Sequence, residues 1–331
     1  MISPFAKRIA SFTGRSVAGR MIIPACLISA SDNWAFATVC VKTHHTITST
    51  ERWFDVRFLA LTLACALCAS PALADNRPRP RDYVTVAVGA GTIPSYTGSD
   101  ENIFIPALLV RGRIDGFAFV SRGVNLSVDL MRGHAGDQFD FKLGPIVNLR
   151  TERSSRIKDP QVAALGKLPS TLEGGLYAGI SKTGVLTSEH DQIGVRISYL
   201  HDLLGKHGSH VMTTSIEYGT PLSRTVFLGT QATVTYFGKG YGRTYFDIDP
   251  AGSAASGLSP YNAAGSKSGA AKMAFSLAGA KSLSGDLRKG WAVVIAGQYG
   301  RMLGRYARSP IVADAGDADQ WLGGLGLAYT F

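Results

Sequence analysis

The chain has 331 residues with 38 glycines, and its 9% aromatic and 18% charged content makes it less charged than the roughly 25% usual in soluble proteins. Of 34 Lys/Arg and 24 Asp/Glu, residues 1–74 hold 7 and 3, leaving 27 against 21 beyond them, an excess too diffuse for a nucleic-acid surface. All four cysteines, Cys26, Cys40, Cys65 and Cys68, also precede residue 75, so a processed product would be cysteine-free and a thiolate zinc site is excluded from it.

Residues 1–51 are basic, Ser/Thr-rich and without periodicity; they read as an extension from a start placed too far upstream, although the same composition also suits an organelle transit peptide. Residues 52–74 read as a secretory signal. Arg52 and Arg57 precede an apolar run of roughly a dozen residues, followed by Pro71 and the small-residue exit Ala72-Leu73-Ala74. That run is shorter than the ~20 residues a membrane helix needs. The residues before Cys65 and Cys68 do not suit lipid attachment, and a bacterial export route with cleavage after Ala74 is expected.

From Asp75 to Phe331 period-2 alternation recurs and helical periodicity is absent. In FDFKLGPIVNLR, Phe139, Phe141, Leu143, Val147 and Leu149 oppose Asp140, Lys142, Gly144, Asn148 and Arg150. Strands are predicted at 83–91, 103–112, 115–121, 124–130, 138–150, 172–181, 190–200, 208–219, 224–236, 269–281, 290–300 and 319–331. A soluble sandwich and a membrane barrel share this alternation. Tyr83, Tyr199, Tyr218, Tyr236, Trp291, Tyr299, Trp321 and Tyr329 sit near strand ends, the girdle placement of an outer-membrane barrel facing lipid. The expected fold is therefore an all-β transmembrane antiparallel barrel over 75–331 with about 12 strands, or 10 if GFAFVSRGVNLSVDL is one kinked strand. An even count puts both termini in the periplasm, and the long connections 151–171, 237–268 and 301–318 all follow odd strands.

By parity Asp140, Lys142, Glu173, Arg196 and Glu217 face the lumen, as do Asp129, Arg150, Gln231 and Lys272; the mixed signs suit pairing across a narrow barrel. Tyr245, Phe246 and Tyr261 give the 237–268 loop the apolar mass to fold over the mouth as a lid. The chain ends GLGLAYTF. A terminal aromatic at Phe331, with Tyr329 two before it and Gly326 five before it, fits the strand read by the barrel-insertion machinery, although Gly324 stands where a polar residue is often found.

VGAGTIPSYTGSDENIFIPALLV, with Pro94, Tyr96, Gly98 and Ser99 in its turn, resembles the first hairpin of the MipA/OmpV outer-membrane proteins. YFDIDPAGSAASGLSPYNAAGS is similar to that family's long loop. The resemblance covers the mature chain and implies a lipid-embedded barrel; for the family's namesake it implies a scaffold holding a lytic transglycosylase beside a penicillin-binding protein. Residues 1–51 depart from the family pattern.

No enzymatic constellation or cofactor site is predicted. His190, His201, His207 and His210 read as solvated loop and strand-end histidines, and no nucleophile turn accompanies Asp247 or Asp249. GAGTIPSYTG lacks the helix and the Gly-Lys-Ser/Thr of a phosphate loop. Two functions remain: a structural scaffold, or a small-solute pore or surface adhesin.

Overall fold

The computed structural model describes residues 81–133 and 138–331; the predicted extension and signal segment lie outside them. Twelve strands are present: β1 (Tyr83–Pro94), β2 (Asn102–Ile114), β3 (Phe117–Arg122), β4 (Asn125–Val128), β5 (Phe139–Arg150), β6 (Thr171–Thr183), β7 (Gln192–Asp202), β8 (His210–Pro221), β9 (Val226–Phe237), β10 (Gly269–Ser282), β11 (Gly290–Met302) and β12 (Asp319–Thr330). Each pairs antiparallel with its sequence neighbours, and β1 pairs with β12 to close the ring. GFAFVSRGVNLSVDL forms two short strands, β3 and β4, so the count is twelve and not ten.

The alternation sorts side chains as lipid and water require. Phe141, Leu176, Ile197, Ile216, Phe275, Ile295 and Leu325 lie exposed on the outer face, an apolar surface far larger than a soluble monomer presents. Trp291, Tyr329 and Phe331 cluster at one rim, with ring centroids 5.0 and 4.7 Å apart, while Tyr299 and Trp321 pair at 4.9 Å towards the other. Among the described residues no helix is long and apolar enough to cross a membrane; the chain crosses with its strands.

The closing seam needs backbones closer than side chains allow. Gly89 faces Gly326 in the β1–β12 register, and a Cβ on Gly89 would stand 2.2 Å from the Leu325 carbonyl oxygen.

The connections after odd strands, apart from the β3–β4 turn partway along the wall, gather at one end, and those at 184–191, 222–225 and 283–289 lie at the other with the start of β1 and the end of β12. The long connections carry five helices that periodicity does not reveal: α1 (Pro160–Ala164), α2 (Lys239–Phe246), α3 (Pro250–Ser256), α4 (Gly304–Ala307) and α5 (Pro310–Ala313). At four to eight residues they are too short for a helical repeat, but three begin on Asp-Pro or Ser-Pro. Asp159 accepts from the Val162 N–H and Asp249 from the Gly252 N–H, with proline at the first helical position in each.

Candidate functional site

The long loops pack together at the barrel mouth. One apolar cluster joins Val211 and Phe237 at the ends of β8 and β9, Tyr241, Tyr245 and Phe246 of α2, Met302 at the end of β11 and Tyr306 of α4. Phe237 and Tyr241 have ring centroids 4.0 Å apart, Tyr241 and Tyr245 4.5 Å, and Phe246 meets Tyr306 edge-on at 5.5 Å. A second cluster joins the turn, loop and helix residues Tyr96, Val162, Ile248, Leu258 and Ile311. Polar contacts fasten the layers: the Ser309 hydroxyl donates to the Phe246 carbonyl at 2.6 Å, and the Tyr261 hydroxyl to the Arg305 carbonyl at 2.6 Å. Tyr245, Phe246 and Tyr261 thus all lie inside this cap. Burial pushes the Tyr245 phenol up to about 12 and raises that of Tyr241 as well.

The opposite side of the cap is fixed by charge. Arg150 donates through Nε and Nη2 to the two oxygens of Glu173 at 2.6 and 2.8 Å, and through Nη1 to the Tyr241 hydroxyl at 3.0 Å. Glu173 is fully buried and also accepts from Asn148 Nδ2 at 2.8 Å. His207 Nε2 lies 3.1 Å from Glu173; a carboxylate only accepts, so the proton sits on Nε2. His207 is 5% exposed, which corrects its reading as a solvated histidine: the 203–209 loop folds inward because Asp202 accepts from the His207 and Gly208 N–H groups at 2.6 and 2.9 Å. Sequence could not find this site, since Glu173 is 34 residues away from His207.

β5 and β11 are six strands apart in a ring of twelve, so they face each other across the lumen. A lid bonded to Arg150 on β5 and packed with Met302 on β11 spans the full width.

The other lumen charges pair along the wall and not across it as expected. Asp140 meets Lys142 on the same strand at 3.8 Å. Arg196 stacks its guanidinium 3.8 Å above the Tyr177 ring on the neighbouring strand. Glu217 faces inward beside Gly194, with no ion pair at salt-bridge distance among the described residues. A strand supplies diagonal partners within reach, which a lumen this wide does not.

The turn after β1 is a seat for the 303–318 loop. Tyr96 is buried and its hydroxyl donates to the Ala315 and Ile311 carbonyls. Gly98 holds φ at 101°, and a Cβ there would lie 2.5 Å from Val312 Cγ2. Gln320 accepts from the Gly98 N–H at 3.0 Å and donates to the Ser99 carbonyl at 2.9 Å, while the Ser95 and Ser99 hydroxyls bond at 2.9 Å. Pro94 ends β1 immediately before it. At the far end of the chain, the Phe331 N–H donates to the Val84 carbonyl at 2.9 Å, and the Tyr329 ring packs between Trp291 and Phe331.

Asp247 accepts from the Ala264 and Gly265 N–H groups, and burial raises its pKa; Asp249 caps α3. Both carboxylates are thus engaged in loop structure. No group of His, Cys, Asp and Glu suited to a metal occurs among the described residues.

A closed twelve-strand antiparallel barrel with a lipid-facing apolar exterior, aromatic rims and a capped mouth defines a bacterial outer-membrane β-barrel. The chain matches the family model for MltA-interacting protein MipA over residues 86–331 and belongs to that family. No curated protein sequence matches it. Among solved structures it is similar to the NanC porin at 10% identity and a TM-score of 0.44, covering 74% of this chain and 98% of that one. It is also similar to the COG4313 outer membrane channel from Pseudomonas putida F1 at 11% identity and a TM-score of 0.35, covering 79% and 100%.

Proposed function

We propose that this protein is a non-conducting structural barrel that anchors peptidoglycan-remodelling enzymes to the outer membrane, a lytic transglycosylase first and a penicillin-binding protein beside it. The observation that carries the reading is the cap bonded to opposite walls, which sets buried aromatic side chains across the lumen at the long-loop end. The family description, an MltA-interacting protein, supplies the partner class.

The docking surface in this reading is the short-turn end, in the periplasm. Its 184–191 turn is organised by Asp191, which accepts from the Val185, Leu186 and Thr187 N–H groups at 2.6, 2.8 and 2.5 Å. A turn fixed this way presents a rigid surface and loses little entropy on binding. Refolded protein immobilised in detergent should retain a purified lytic transglycosylase, and replacing 184–191 with a Gly/Ser turn should weaken retention. Equal retention by an unrelated twelve-strand barrel would overturn the proposal.

A further inference from the structure

The barrel wall is incomplete beside the cap. β2 pairs with β1 along its length, but with β3 only over Leu109–Ile114. The β3–β4 hairpin stops halfway, its tip marked by the Gly123 N–H donating to the Leu108 carbonyl and the Leu149 N–H donating to the Val124 carbonyl. Backbone groups of one antiparallel residue point to one side, so Phe104 and Pro106, in phase with Leu108, aim theirs into the gap.

A free edge in hydrocarbon costs several kcal/mol per unsatisfied group, and this edge is edited to reduce that cost. Pro106 has no N–H to strand. The Phe104 carbonyl accepts from Arg156 Nη1 at 3.2 Å. Arg156 belongs to a strap, residues 151–156, that crosses the gap on side-chain contacts in place of a ladder. Glu152 accepts from the Thr97 hydroxyl at 2.8 Å, and Arg153 donates to the Tyr245 carbonyl at 3.4 Å. Arg153 and Arg156 both adopt positive φ, 51° and 57°.

Behind the strap lies a cavity of about 560 Å³. Its wall from β1, β2 and β12 is apolar, with Ile93, Ile103, Ile105 and Leu322 turned into a lumen that is otherwise polar. Its other lining includes Lys272, which has no hydrogen-bond or ion-pair partner among the described residues, and Arg156 at the rim. Arg150, also in the lining, is neutralised by Glu173, and the one remaining carboxylate, Glu152, stands against two cations, Lys272 and Arg156, so the net charge favours an anion.

We propose that this cavity binds a single-chain anionic amphiphile drawn sideways from the bilayer: its acidic head meets Lys272, and its tail lies on Ile103 and Ile105 and leaves past Phe104. The division into a net-cationic end, an apolar wall and a lipid-side gap fits that class. The site is independent of any periplasmic partner.

The test uses the refolded full barrel in phosphatidylcholine nanodiscs with cis-parinaric acid, and its methyl ester as the uncharged probe. Saturable fluorescence above empty nanodiscs is expected for the acid. Lys272→Gln should weaken the acid roughly tenfold, the loss of one charge-assisted contact, and leave the ester unchanged. Ile105→Trp should remove binding of both; Ile103→Trp serves if the first variant fails to show heat-modifiable migration. Nitroxide-labelled lipid in the disc should quench the bound acid through the gap. Absence of saturable binding, equal affinity in Lys272→Gln, or bound probe that the lipid label cannot quench would overturn the proposal.

Discussion

Arg150 and Glu173 meet in a bidentate contact between neighbouring strands, at 2.6 and 2.8 Å, with the carboxylate fully buried and the same guanidinium bonded to Tyr241 of the lid. The pair therefore joins wall to cap. Removing one partner strands the other, a cost of about 3–5 kcal/mol for a buried pair. Glu173→Ala should lower the unfolding free energy by that order and the denaturant midpoint with it. The solvent-screened pair of Arg301 with Asp319 is the control, and Arg301→Ala should leave the midpoint nearly unchanged. Urea titration followed by gel mobility measures both; equal effects would show that the Glu173 network is not the anchor.

The seat of the 303–318 loop depends on a residue without a side chain. Gly98→Ala must hold a backbone angle of 101° and push into Val312, at a cost of roughly 1–3 kcal/mol for the backbone alone. Limited proteolysis should then cut within 303–318 while the strands stay protected. Because the backbone penalty is separate from the contact, adding Val312→Ala should restore protection only in part.

Assembly is predicted to depend on both the last residues and the seam. Deletion of Tyr329–Phe331, or Phe331→Ala, should lower the folded fraction without changing synthesis. Gly89→Val should do so more strongly, since its Cβ would occupy the space of the Leu325 carbonyl. Heat-modifiable migration of membrane-extracted protein reports the outcome; full folded yield from Phe331→Ala would leave it only a rim aromatic.

The Asp191 turn carries a pH dependence. Hydrogen bonds from the Thr187, Val185 and Leu186 amides hold its carboxyl below the ordinary 3.8. A depressed folded pKa stabilises above the unfolded value and is lost as pH falls through the folded one. Exchange protection of these three amides should thus hold at pH 5 and weaken only on acidification below about 3.8, whereas Asp191→Asn should lack most of it at every pH. Full protection in the asparagine variant would contradict this.

Strands and their inward faces were legible because lipid outside and water inside impose a strict period of two, so Asp140, Lys142, Glu173, Arg196 and Glu217 could be placed by parity alone. Their partners could not. Parity gives a face but not the register, and it is register that sets Asn148 opposite Glu173 and brings Arg196 over Tyr177. The loop helices were hidden from periodicity by their length, yet Asp159-Pro160, Asp249-Pro250 and Ser309-Pro310 were readable as helix starts. His207 was invisible because its burial depends on a loop folding back to a strand distant in sequence.

The measurement that bears most directly on the closed-barrel account is single-channel conductance of the refolded protein in a planar bilayer. Wild-type protein should show small, transient or no current, and deletion of residues 245–261, which removes Tyr245, Phe246 and Tyr261 from the cap, should open a steady one. A steady, porin-sized current through the wild-type barrel, unchanged by that deletion, would contradict it.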